Sequence, residues 1–115
     1  MQDDISITTA ELLDRFDASS AAVGAAQRRH LSFIVACEVA RVWKDDDCRD
    51  LAQWVALRDG ISTWKAQRLV DAGYALERLP AIAGALEQGV LSLDKVVELA
   101  RFADPTNRGP HRRRC

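Results

Sequence analysis

Apolar positions recur along this chain every three or four residues, and alternating runs rich in β-branched residues are missing, a pattern that predicts helices almost throughout. Thr8 or Thr9 is placed to cap a short first helix reaching Phe16, with Glu11 in its first turn, where the helix dipole favours an acid. Asp17-Ala18-Ser19-Ser20 reads as a break and a new N-cap. A long helix is then expected from about Ser20 to Lys44, with Leu31, Ile34, Val35, Val39 and Val42 forming a broad apolar stripe. Asp45-Asp46-Asp47 is expected to end it and to cap the next helix, about 48–58, which buries Leu51, Trp54 and Val55. Gly60 falls just past that helix, where a glycine in the left-handed conformation commonly stops one.

Ser62 is positioned to cap a helix running to about Arg78, whose Ala66, Leu69, Gly73 and Leu76 share one face. Gly73 costs about 1 kcal/mol relative to alanine inside a helix, so its presence predicts a close helix crossing. Pro80 suits the first turn of a short helix, 81–88, ending at Gly89. Ser92 caps a last helix carrying Leu93, Val96, Val97, Ala100 and Ala103, which Asp104-Pro105 stops. The fold class expected is all-α: a small multi-helix bundle containing a helix-turn-helix-like pair. Three segments are expected: a short helix and linker over 1–18, a helical domain over 19–103, and a disordered basic tail over 104–115. Residues 56–62 and 85–92 also resemble one another, each reading as helix, glycine stop and serine cap, with a lysine three residues after the serine. Convergent cap chemistry and true duplication both account for that likeness.

Composition narrows the picture. At 115 residues, 48% apolar and 29% charged, the chain fits one globular domain and excludes a collagen, a disordered protein or a small disulfide scaffold. No apolar run approaches the roughly 18 residues that cross a bilayer, and the acidic Met1-Gln2-Asp3-Asp4 start lacks the pattern of a secretory signal. Three cysteines without CxxC spacing suit a reducing compartment, so a cytoplasmic protein with no membrane contact is expected. Sixteen bases against 17 acids give no global field toward nucleic acid. The charges are nevertheless segregated: residues 1–17 carry five acids and one base, 18–44 four bases and one acid, and 104–115 four bases and one acid.

Within this frame the clearest binding signal is the helix pair over 50–78. In a DNA-reading unit of that kind the second helix presents its first turns to the major groove. Those turns carry Trp64, Lys65, Gln67 and Arg68. Gln pairs with adenine, and Lys or Arg with guanine or phosphate, so Lys65, Gln67 and Arg68 are the candidate contacts. The alternative is a plain two-helix corner with a solvated face, since Asp59 and Asp71 flank it. Arg112, Arg113 and Arg114 are candidates for salt-dependent, sequence-blind contact, and Arg28-Arg29-His30 reads as a phosphate contact or an exposed face. No metal site is expected: His30 and His111 stand alone, Cys37 reads as a small buried hydrophobe, and Asp45–Asp47 as an exposed loop and cap. No catalytic residues or cofactor are expected either, because no nucleophile elbow, glycine-rich phosphate loop or histidine with a nucleophilic neighbour is present.

From Cys48 onward the order of several short motifs is distinctive. Asp50-Leu51-Ala52-Gln53-Trp54-Val55-Ala56, Gly60-Ile61-Ser62, Ala66-Gln67-Arg68-Leu69-Val70, Ala75-Leu76-Glu77-Arg78-Leu79-Pro80 and Ala85–Ser92 occur in succession. This resembles domain of unknown function 222, the 13E12 repeat family of actinobacteria, over about residues 25–103. The resemblance implies a helical domain N-terminal to an HNH endonuclease and an association with mobile genetic elements. Asn107 and His111 lie in a tail too short for an HNH frame, so no catalytic residue of the family carries over, and the loss of helical period at Asp104, where a Pro/Arg-rich tail begins, leads to the expectation of a truncated or frameshifted copy. The chain is therefore expected to be no enzyme, but a non-catalytic helical domain that binds DNA weakly. Alternatively it is a protein-interaction or dimerisation module, meeting a second copy or the missing nuclease portion, or a remnant with no activity.

Overall fold

The structure, a computed structural model, describes residues 7–102. The expectations for Ala103, for Asp104-Pro105 and for the tail with Arg112, Arg113 and Arg114 lie outside the described residues.

Thr8 closes the N-terminus of α1 (Thr9–Ala40) with a capping box: its Oγ1 accepts from Glu11 N at 3.1 Å, and its own N–H donates to Glu11 Oε1 at 2.9 Å. The break expected at 17–20 is absent, and one helix of 32 residues replaces the expected two. Asp17, Ser19 and Ser20 are good caps only where a helix has to begin. Here they are embedded among Ala18, Ala21, Ala22, Ala25 and Ala26, which propagate a helix well, whereas a restart would incur a second nucleation. At 1.5 Å per residue α1 is about 48 Å long, and residues 8–19 are exposed along the whole first third of it.

The helix ends at Ala40 and not at Lys44. Arg41 takes the left-handed conformation (φ 56°), its N–H meets the carbonyls of Cys37 and Glu38, and the single turn α2 (Val42–Asp45) leaves in a new direction. As a result Val39, expected in the apolar stripe, is exposed, while Leu31, Ile34 and Val35 are buried. Asp45–Asp47 also differ from expectation. The cap of α3 (Leu51–Asp59) is Asp50, whose Oδ1 accepts from Gln53 N at 2.9 Å. Asp46 instead accepts from Trp54 Nε1 at 2.7 Å, and Asp47 closes the turn at φ 61°. That bond holds Trp54 at the surface of the bundle, half-buried, with the Arg58 guanidinium 4.6 Å from its ring centre, whereas Leu51 and Val55 are fully in the core.

Two corners of the same construction follow. Between α3 and α4 (Thr63–Arg78) Gly60 stands at φ 69°, and Ser62 Oγ accepts from Lys65 N at 3.0 Å. Between α5 (Pro80–Glu87) and α6 (Leu93–Ala100) Gly89 stands at φ 78°, and Ser92 Oγ accepts from Lys95 N at 3.1 Å. The positive φ is what each glycine supplies, and each serine satisfies a backbone N–H left over by the next helix.

α4 is the central helix. It buries Ala66, Leu69, Val70, Ala72, Ala75 and Leu76 and packs on α1, α3, α5 and α6. Small residues set the distances at which the helices cross: a Cβ on Gly73 would lie 3.0 Å from the Leu31 carbonyl oxygen, the close approach its cost predicts, and Gly24 of α1 lies against the Leu86 carbonyl at the end of α5. Leu86 and Val96 complete the core, which among the described residues contains no buried charged side chain. The result is an all-α bundle of six helices over the described residues.

Candidate functional site

Lys65, Gln67 and Arg68 all lie in the first two turns of α4, and the tertiary structure separates them. Lys65 is exposed at the helix start. Arg68 turns back over Trp64, its guanidinium carbon 4.7 Å from the ring centre, a cation–π contact one helical turn long. Gln67 Nε2 donates to Asp71 Oδ1 at 3.1 Å, so its amide is already engaged down the helix. Trp64 itself is 69% exposed; periodicity set Trp54 on the apolar face of its helix but did not distinguish Trp64 from Trp43. The signal was its place two residues after the cap and four before an arginine.

Farther along the same face the charge changes sign. Trp64, Gln67, Asp71, Tyr74 and Arg78 follow one another at helical spacing, with Glu77 beside them. The Tyr74 phenol is held above its ordinary value of 10.0, first by burial and then by the neighbouring carboxylates Glu38 and Glu77. The first turns of α4 are therefore cationic and the later ones acidic. Tyr74 is the only tyrosine in the chain, which makes it a clean reporter. Its phenolate absorbance is expected to rise at a pH above that of a free tyrosine. Glu38→Gln with Glu77→Gln lowers the midpoint part of the way, and the contribution of burial remains. Because the folded value lies above the unfolded one, the stability due to this group is complete below the ordinary pKa and declines as the pH rises through the folded value. An unshifted midpoint in the folded wild type contradicts this environment.

The run Arg28-Arg29-His30 serves mainly as structure. Arg28 pairs with Glu87 of α5, and His30 Nε2 lies 2.9 Å from Asp59 Oδ2 at the end of α3, so two of the three side chains tie α1 to its neighbours. Arg29 is exposed. In the second corner Lys95 lies 3.8 Å from Glu98, and Arg101 stacks over Phe102. Cys37, expected as a buried hydrophobe, is half-buried at the core margin. An open cleft of about 320 Å³ between α1, α4 and α5 is lined by Arg28, Leu31, Ser32, Leu76, Glu77 and Ala83 among others. Its arginine is the one already paired with Glu87. Among the described residues no three His, Cys, Asp or Glu side chains stand close enough to hold a metal ion, and no helix is long and apolar enough to cross a membrane.

These features define a helical bundle built on a central helix, with two glycine–serine corners and an aromatic–cationic cluster at the first of them. The family model described as "Domain of unknown function (DUF222)" matches residues 10–112, and the chain belongs to that family. The match begins in the first turn of α1, earlier than the motifs from Cys48 onward, and takes in the whole bundle. No curated protein and no solved structure gives a match.

Proposed function

We propose that this chain is a non-catalytic DUF222 binding domain that holds nucleic acid weakly and without reading base sequence. The observation that carries this reading is the exposed Trp64 ring with Arg68 stacked on it, next to Lys65 in the capped first turns of α4. A large aromatic ring left in water beside two cations suits base stacking combined with phosphate contact. Hydrogen-bonding to adenine would require Gln67 to leave Asp71, so sequence-specific readout is not the chemistry prepared here. Arg112, Arg113 and Arg114 would add sequence-blind charge. Cleavage, in this reading, is the work of an HNH module and not of this domain.

The test is fluorescence anisotropy of the full chain on labelled single-stranded and duplex DNA across a salt series. Binding is expected to favour single strands and to weaken steeply with salt. Trp64→Ala removes a stacking contact worth about 1–3 kcal/mol per base, a loss of roughly five- to more than a hundredfold in affinity. Lys65→Glu/Arg68→Glu flattens the salt dependence as well. Absence of binding at low salt by a folded chain sinks the proposal. Binding that disappears only when the chain is ended at Ala103 moves the contact to the arginine run and rejects the α4 site.

A further inference from the structure

We propose that residues 41–47 are a two-position strap at the end of α1. In the position seen here the chain turns at Arg41 and lays Trp43 on the core. In the other, α1 runs on to Lys44 and Trp43 leaves. The strap is independent of the nucleic-acid reading.

The costs of the present position all fall on this one segment. Arg41 stands at φ 56° and Asp47 at φ 61°, the residues other than glycine that take a positive φ among the described residues. In that region a side chain's Cβ crowds the following carbonyl oxygen. Trp43 Nε1 is shut off from solvent and has no hydrogen-bond partner among the described residues, so the N–H forfeits the bond it makes in water. α2 itself is a single turn without a side-chain cap. What opposes these costs is specific. Trp43 packs against the core, and the Arg41 guanidinium lies 5.8 Å from its ring centre. The Trp43 carbonyl accepts from Cys48 N at 3.2 Å. Asp46 accepts from Trp54 Nε1 at 2.7 Å, with the Arg58 guanidinium 3.9 Å away.

The second position follows from the periodicity. Leu31, Val35, Glu38 and Val42 recur at intervals of four, three and four, the row a continuing helix keeps on one face. Trp43 falls about 100° round the helix from Val42, off that row. Straightening therefore exchanges Trp43 for Val42 against the bundle, returns Arg41 to ordinary helical backbone and gives Trp43 Nε1 to solvent. Residues 45–50 then join Lys44 to α3. Six extended residues reach roughly 20 Å, and four more helical residues lengthen α1 by only about 6 Å, so α3 keeps its place and its Asp50 cap. Asp46 moves with that linker and releases the Trp54 indole. Two packings of one segment, each with its own apolar residue on the core, make a bistable element.

The test is pulsed dipolar spectroscopy of the full chain with its native cysteines replaced and nitroxides at Arg29→Cys and Lys44→Cys. Both sites are exposed, and in a straight helix their backbones stand about 22 Å apart. The parent chain is expected to show a major shorter distance and a minor one near the straight value. Asp46→Ala, which frees the strap, should raise the longer population severalfold with no loss of helix content by circular dichroism. Arg41→Gly added to Asp46→Ala should shift the ratio back by roughly five- to thirtyfold, because glycine bears no penalty in the left-handed region. Trp43→Phe, which removes the unpartnered N–H, should shift it in the same direction. A single short distance in both the parent and Asp46→Ala overturns the proposal. A broad distribution with falling helix content means unravelling and overturns the straight form. A ratio that Arg41→Gly leaves unchanged overturns Arg41 as the hinge.

Discussion

Gly24→Ala is expected to destabilise the fold by about 1–3 kcal/mol, the usual range for forcing an extra methyl into a closed contact. The new Cβ would overlap the carbonyl oxygen of Leu86 and come within 3.2 Å of its carbon and 3.3 Å of the Gly89 nitrogen. All three are backbone atoms, so no side-chain rotation relieves the clash, and α1 and α5 must separate. Alanine otherwise favours a helix interior by about 1 kcal/mol over glycine, which makes the sign of the effect diagnostic. Gly84→Ala supplies the control, since nothing lies within 4 Å of a Cβ at that position in α5. It should keep most of the propensity gain. At about 4–8 °C per kcal/mol for a domain of this size, thermal melts separate the two variants plainly. Equal stability in both would mean that α1 and α5 do not meet at Gly24.

Leu86→Ala is expected to cost more, about 3–5 kcal/mol, because the removed atoms lose their burial and the cavity left behind closes only in part. Leu86 is fully enclosed, and its backbone is the surface on which Gly24 rests, so collapse into the vacated space is opposed by the helix crossing above it. A loss of that size is a large share of the roughly 5–15 kcal/mol that holds a domain together. Urea denaturation should show a much lower midpoint with an unchanged slope. Leu57→Ala, at a position 71% exposed on α3, should leave the midpoint almost where it was. A small effect at Leu86 would place it outside the core.

Much of this architecture was legible from local chemistry. Ser62 and Ser92 cap helices as their hydroxyls and spacing foretold, the choice left open between Thr8 and Thr9 falls on Thr8, Pro80 opens α5, and Gly60 and Gly89 close the two corners. Each of these decisions involves a residue and neighbours three or four positions away. The errors lie where two local signals competed. Asp17 through Ser20 offered a cap in the middle of an alanine-rich stretch, and continuation won; Asp45–Asp47 offered a cap, but Asp50 stood nearer the first buried residue, Leu51. The candidate site was legible only in its residue types. That Arg68 lies on Trp64, that Gln67 is engaged by Asp71, and that Arg28 and His30 are tied to Glu87 and Asp59 all depend on rotamers and on elements distant in sequence.

The sequence by itself determined that the chain is helical, where most of its helices start and stop, and that two of its corners share one design, because caps, turn residues and periodicity act over a single helical turn. Only the tertiary structure decided which face of α1 is covered and which is left in water, and that Gly24 is as critical a crossing point as Gly73. Both depend on where α4 and α5 settle against a helix some fifty residues earlier. Leu12 and Phe16 carry the same apolar signal as Leu31 and Ile34; what separates them, among the described residues, is the reach of α3 to α6 along α1.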